Sequence, residues 1–511
     1  MQGWQDHATI EAMELLERVF RNARERPGAT AVAQVWPTAG PKVSFAALTQ
    51  AIEALANQLK AALPGGAVVM VRGGNSPQYL AAYLAVLQAG MTVFPLPADL
   101  AGREMVGAAQ RSGAAAMICL GDFPIDPFGT SQASEILGAR AVFATQPNET
   151  PTSSSALGHP TWKPADLGTS MLLLSSGTTA TPKIVRRDAA ALDAVSRNMV
   201  GAMSFAAQDI VLSGVPLCHS YGVEHGLLAP MWAGSEVRLC DGFDPQACLV
   251  QLAHDVTVFP GVPFMYEMLC EREGQKLPRL RIAYSAGGSL PMEIARGFEA
   301  KYERPVSQLY GASEIGSVTY NDPAVEPFDP RSVGRAMDGV EIRIIDAGEA
   351  RIDRRLDVGV EGHVAIRATS RMSGYVGEES SPFVDGFFLT GDLGRLHESR
   401  ALTLTGRIKL LIDIGGRKVN PLEIEQVMQS HPDVSACVVV PMRASQTLFR
   451  LKAIVTPAER GKVPDLRELR VWAKERLSAY KVPRVFEVRH SLPRSATGKV
   501  LRHVLETENS Q

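Results

Sequence analysis

The sequence predicts an α/β protein: a large N-terminal domain of layered α/β subdomains plus a β subdomain, followed by a small C-terminal α+β domain. Three observations carry this expectation. Helix-like and strand-like segments alternate through the first four hundred residues. Several apolar strands run directly into loops of Gly, Ser and Ala, the place where open α/β sheets hold ligands. Beyond about residue 406 the pattern restarts with strands and helices of its own, enough for a module of ordinary small-domain size.

Taken in order, the N-terminal MQGWQDHATIEAMELLERVF alternates acids with apolar residues at helical spacing. It lacks a basic segment followed by an apolar one, so no signal peptide is expected. Residues 46–63 (AALTQAIEALANQLKAAL) have amphipathic helical spacing, and AVVMV at 67–71 is a buried-strand pattern. YLAAYLAVLQAGMTVFPLP at 79–97 is apolar enough to suggest a membrane span. Gln88, Gly90 and Pro95 divide it into a helix, a stop and a short strand. The Ser/Pro-rich stretch 150–165 reads as a linker or surface loop.

The segments 256–263, 281–288 and 306–314 each read as a strand entering a small-residue loop. GVEIRIID (339–346) and EGHVAIRA (361–368) read as antiparallel strands of the β subdomain. In the C-terminal part follow a Gly415-Gly416 loop, a helix from about Pro421, strands SACVVVP and LKAIVTP, and a helix DLRELRVWAKERL.

At 511 residues the chain is too long for one small core. Its 52 Lys and Arg against 54 Asp and Glu leave a formal charge of -2, so no bulk field favours nucleic acid or an anionic membrane. The six cysteines form no C-x-x-C pair or disulfide spacing, which points to reduced thiols in a cytoplasmic protein.

Five motifs carry chemistry. SSGTTATPK at 175–183 crowds hydroxyls, a glycine and Lys183 behind the apolar run 171–174; such a turn can ring phosphate oxygens, although it lacks the spacing of a P-loop. YGASEIG at 310–316 offers Tyr310 for stacking on a purine. It also offers Glu314, a hard oxygen ligand for Mg²⁺ between phosphates. FFLTGDLGRL at 387–396 sets Asp392 between glycines, where its carboxylate can accept from both hydroxyls of a ribose. GRIKLLIDIGGRK at 406–418 carries Arg407 and Lys409 ahead of the Gly-Gly loop, and SATGK ends on Lys499.

Singly, each motif is as well explained by an ordinary turn or a solvated charge. In this order they resemble the adenylate-forming superfamily: acyl-CoA synthetases, luciferases and the adenylation domains of nonribosomal peptide synthetases. The resemblance spans about residues 15 to 503 and is closest to freestanding acyl-CoA synthetases. The sequence departs from the usual pattern at Ala180 and Ile184, where glycine is common, and at Ser313, where threonine is common. Ala180 restricts the backbone and Ile184 is stiff, so both bear on the flexibility of the phosphate loop.

The resemblance implies a division into residues 1–406, binding ATP and the acid, and a mobile catalytic domain 407–511 hinged near Lys409. It implies an ATP- and Mg²⁺-dependent ligase that forms an acyl adenylate, releases pyrophosphate and passes the acyl group to a thiol. That thiol is coenzyme A or the phosphopantetheine of a separate carrier protein, since the chain stops twelve residues after Lys499. Ser175, Ser176, Gly177, Thr178, Thr179 and Lys183 are implied to hold the phosphates, with Glu314 and Thr178 at the metal. Asp392 and Arg407 would hold the ribose; Gly288, Tyr310, Gly311 and Ser313 would lie along the adenine. Lys499 would stabilise charge in the first step. Gly415, Gly416 and Arg417 would face the thiol channel in the second.

PLCHSYGVEHG at 216–226 matches the segment that walls the acyl pocket. It contributes His219, Ser220, Tyr221 and Glu224, while Gly287 and Gly288 with Ser289 would line the adenine and acyl path. Ser220 stands where adenylation domains for α-amino acids carry an aspartate, which disfavours such substrates. Glu224 and His225 leave two alternatives: a pocket for a distal polar or amino group, or side chains turned to solvent or backbone. A light-emitting oxidase and a silent nucleotide-binding regulator are the rival functions. Retention of Lys183, Glu314, Asp392, Arg407 and Lys499 argues against the second.

Overall fold

The computed structural model describes residues 13–100, 102–120, 131–136, 139–144, 168–175, 182–288, 290–346, 351–407, 412–415, 417–419, 421–445, 448–458, 463–493 and 505. The 150–165 linker expectation therefore lies outside the described residues, as do Ser176, Gly177, Thr178, Thr179, Ala180, Ser289, Lys409, Gly416 and Lys499. The backbone of Arg407 is described but its side chain is not.

The strands predicted before residue 315 are divided between two large sheets. One has nine strands. Its core, in spatial order, is Val306–Ala312, Ile282–Ser285, Val258–Gly261, Ile210–Ser213, Glu236–Cys240 and Thr30–Trp36, all parallel. The other has eight, with Thr169–Ser175, Thr92–Leu96, Val68–Gly73 and Ala114–Leu120 parallel at its centre. Lys183–Asp188 then pairs antiparallel with Thr169–Ser175.

The helix Pro77–Gln88 packs against strands of both sheets, and every residue from Tyr79 to Leu87 is buried. Ser76 caps it by accepting from the Tyr79 amide, and Pro77 occupies its first turn, where a missing N–H costs nothing. Burial on all faces is why this stretch is apolar enough to resemble a membrane span. Among the described residues, no helix is long and apolar enough to cross a membrane.

The predicted β subdomain is a five-stranded sheet in which Val340–Ile345 pairs antiparallel with Gly362–Ala368, and Gly362–Ala368 with Phe387–Leu396. In the C-terminal part, Ile412–Ile414 and Arg417–Val419 form a hairpin. Val434–Arg443, Phe449–Pro457 and Val485–Val488 form a three-stranded sheet. The helices Pro421–Gln429 and Leu466–Arg476 share one apolar core with these strands. The cysteines are all free; Cys270 is half-buried and the rest are buried.

Candidate active site

The hydroxyl-rich motif begins and ends on paired strands. Ser175 closes one and Lys183 opens the next, with the two residues opposite each other in register. Ile184 is therefore a buried strand residue, in one apolar cluster with Val68, Phe94 and Leu172. Its β-branched stiffness suits that position.

Ser175 Oγ donates to Glu314 Oε1 at 2.9 Å, joining the hydroxyl motif to the acid of YGASEIG across 139 residues of sequence. Tyr375, which sequence reasoning missed, donates its hydroxyl to the same oxygen at 3.1 Å. The Lys183 ammonium lies 4.2 Å from the centre of the Tyr375 ring and 2.8 Å from Glu378. A hydroxyl, a carboxylate, a cation and a phenol thus gather at one strand end. Among the described residues, no three His, Cys, Asp or Glu side chains cluster as a complete metal cage.

Asp392 lies within the strand Phe387–Leu396, not at a plain turn; the flanking Gly391 takes a left-handed φ of 76° that lets the strand bend there. Tyr310 is buried with it and donates its hydroxyl to Asp392 Oδ2 at 2.5 Å. Arg407 is the cross-strand partner of Asp392 in the ladder. His363, a second residue missed from sequence, accepts the Gly391 amide at 2.9 Å. Burial lowers its pKa, against the opposing pull of Asp392.

Tyr310 is therefore placed to orient the Asp392 carboxylate. Tyr310→Phe keeps the ring and removes a charge-assisted hydrogen bond, an interaction of about 1.5–3 kcal/mol. The KM for ATP should rise about ten-fold or more while the KM for the acid changes little; equal changes in both would separate Tyr310 from the nucleotide.

The acyl-wall motif is helical from Ser220, with a wide turn over Glu224–Leu228. Gly222 lies so close to the backbone of Pro216 that a Cβ would fall 1.9 Å from its carbonyl oxygen, which only glycine permits. His219 has its Nε2 buried with no hydrogen-bond partner among the described residues. Burial depresses its pKa to about 4, the Arg417 guanidinium adding to the shift, so the ring is neutral near pH 7. Tyr221 donates to the Gly261 carbonyl at 2.9 Å, tying the motif to the end of a parallel strand.

Glu224 is neither turned to solvent nor open to a guest. It is 1% exposed, and its Oε1 accepts from Arg187 Nη1 at 2.5 Å and from Ser220 Oγ at 2.9 Å. Its Oε2 accepts from the amide and hydroxyl of Ser317 at 2.9 and 2.7 Å. With the Ser317 proton committed to Glu224, the His225 Nε2–H donates to Ser317 Oγ. Nδ1 then accepts from the Tyr284 hydroxyl at 2.7 Å. Burial lowers the His225 pKa to about 3, in keeping with this neutral form. Arg187, Ser317 and Tyr284 were missed from sequence, because a basic residue in KIVRRD reads as an ordinary strand-surface charge.

The Gly415 hairpin of the C-terminal part faces the same region. A Cβ on Gly288 would stand 3.4 Å from Asp413 Oδ2, and Arg417 Nη1 meets Asp99 at 2.9 Å. Gly287, beside Gly288, takes a φ of 81° and is exposed. Gly311 and Ser313 lie in the hairpin between Tyr310 and Gly316, next to Glu314.

Residues 19–376 match the family model described as AMP-binding enzyme, and residues 423–499 match its C-terminal domain. A probable CoA ligase of Humulus lupulus is 28% identical over 491 residues, covering 91% of both chains. A feruloyl-CoA synthase of Amycolatopsis is 29% identical, covering 94% of this chain and 96% of the relative. Among solved structures, an amide bond synthetase from Marinactinospora thermotolerans superposes with a TM-score of 0.81 at 25% identity, covering 97% and 99% of the two chains. The o-succinylbenzoate CoA synthetase of Bacillus subtilis shares the fold, with a TM-score of 0.79 at 24% identity over 97% and 98% of the chains.

Proposed function

Because this chain belongs to the AMP-binding enzyme family and is an AMP-forming acid–thiol ligase using coenzyme A, we propose how its residues divide the work and which acids it admits. A carboxylate is a poor electrophile. In the first step its oxygen attacks the α-phosphorus of ATP, the bond to the β-phosphate breaks, and pyrophosphate leaves. In the second, the thiol sulfur attacks the acyl carbon, AMP departs and the thiol proton passes to solvent.

The observation that supports the nucleotide roles is the Ser175–Glu314 hydrogen bond, with Lys183 alongside. Lys183 would exchange Glu378 for phosphate oxygens, and Tyr375 would keep the Glu314 carboxylate aimed at the same space. The donor set fits Mg²⁺: one carboxylate and neighbouring hydroxyls, with nucleotide oxygens and water completing an all-oxygen shell. Glu314 and Thr178 would hold the ion, which neutralises phosphate charge when bound. Asp392, oriented by Tyr310, and Arg407 would take the ribose. The hairpin of Gly415, Gly416 and Arg417 would line the thiol path in a second orientation of a domain hinged at Lys409, within the cytoplasm.

The acid would be one whose acyl group carries no ammonium. Ser220 has its hydroxyl on Glu224, and Glu224 is neutralised by Arg187, so neither remains to pair an amine. A neutral His219 adds no charge to the wall. An ATP–pyrophosphate exchange screen over aryl, fatty, hydroxy and amino acids tests this, and highest exchange with an amino acid would overturn it.

Glu314→Gln keeps the shape and loses the charge. It should raise the Mg²⁺ concentration needed for half-maximal adenylation about ten-fold or more, the scale of losing one partner at a metal site. Unchanged rates at limiting Mg²⁺ would remove Glu314 from the metal.

A further inference from the structure

Away from the nucleotide site, the two ends of the chain meet through a buried lysine. Lys481 is 4% exposed and donates to Glu423 Oε1 at 2.8 Å, within its own module. It also donates to Glu104 Oε1 at 2.7 Å, on the helix Gly102–Ser112 of the N-terminal part. Ser478 donates to the other Glu104 oxygen. Burial alone would lower the Lys481 pKa, but the neighbouring groups, including both carboxylates, hold it above its ordinary value. One lysine thus bridges a carboxylate that travels with it and one that belongs to the opposite surface.

Among the described residues, polar contacts across this junction also include Arg417 with Asp99, partly exposed, and Ser445 Oγ with Glu267 at 2.6 Å. With these made, the Ile412–Val419 hairpin rests against Gly288 and places Arg417 where it lowers the His219 pKa. The buried bridge is the contact whose loss carries the largest expected penalty, because an exposed pair contributes little.

We propose that Glu104 is a positioning residue for thioester formation: by accepting from Lys481 and Ser478 it latches the C-terminal module in the orientation that sets the 412–419 hairpin against the acyl site. This rests on the two-orientation reading of the preceding section. In the other orientation Lys481 keeps Glu423, and Glu104 returns to water. The latch therefore opens without stranding a buried lysine, and Glu104 contributes only to the second step.

The test measures both half-reactions on Glu104→Gln and Glu104→Asp: pyrophosphate exchange with ATP and acid, and thioester formation from preformed acyl adenylate and coenzyme A. Glu104→Gln should leave exchange within about two-fold and slow thioester formation about ten-fold, within the usual range of coupling between two states. Glu104→Asp, which keeps the charge, should recover part of that loss. Equal loss in both half-reactions, or no loss in either, overturns the latch. Lys499→Ala measured alongside separates this from failure of the two-orientation reading. If Lys499→Ala splits the half-reactions and Glu104→Gln does not, only the latch fails. If Lys499→Ala loses both alike, the underlying reading fails first. Should Glu104→Gln prove unstable on heating, Glu104→Asp and Ser478→Ala carry the same comparison.

Discussion

Glu224→Leu should destabilise the protein by about 3–5 kcal/mol instead of retuning its choice of acid. The sequence alone left open that Glu224 faces the acyl group, in which case its loss would favour more apolar acids. The structure gives its carboxylate four donors, one of them the fully buried Arg187. Among the described residues, leucine would remove the one carboxylate that accepts from Arg187, whose other acceptors are the carbonyls of Ala191 and Ser370. A buried cation left without its counter-charge accounts for most of the expected loss.

The pair itself need not stabilise the fold, since apolar replacement of both partners is often neutral. Arg187→Met combined with Glu224→Leu should therefore recover most of the stability lost in the single variant. Denaturant unfolding of the wild type, the two single variants and the double variant checks this. A single variant as stable as wild type would mean that the ion pair does not persist in solution.

Lys499→Ala should lose adenylation by about 10²–10³, the usual consequence of removing one preorganised electrostatic donor. From synthetic acyl adenylate it should form thioester at close to the wild-type rate, because its charge matters only while the carboxylate and α-phosphate bear developing negative charge. The described contacts favour this asymmetry, since the Gly415 hairpin already lies against Gly288. Lys409→Pro should show the opposite pattern: a fixed φ at the proposed hinge would obstruct the turn after adenylation. Comparable damage to both half-reactions by Lys499→Ala would rule out a single site serving two orientations.

Local pattern revealed the elements well. The 46–63 segment is the helix Phe45–Ala62, AVVMV at 67–71 overlaps the strand Val68–Gly73, and both predicted antiparallel strands of the β subdomain pair as expected. The division of the parallel strands between two sheets was not legible, because neighbours in space are far apart in sequence and no local period records them. The same distance hid the partners within the site. Tyr310 and Asp392 were each recognisable, but their hydrogen bond spans 82 residues. Tyr375 sits in a short strand whose pairing with Lys183–Asp188 is set by topology alone. Arg187 and Glu224 look like two surface charges until the fold buries them together.

The parallel pairing of Thr30–Trp36 with Glu236–Cys240 also bears on how the chain is made. On the ribosome the first of these strands emerges about two hundred residues before its neighbour, an interval of roughly 10–40 s at ordinary elongation rates of about 5–20 residues per second. From its own synthesis until the end of that interval, the apolar helix Pro77–Gln88 lacks the completed second sheet it packs against. Nascent chains shorter than about residue 240 should consequently be the stage most dependent on chaperones, and fragments ending there the most prone to aggregate.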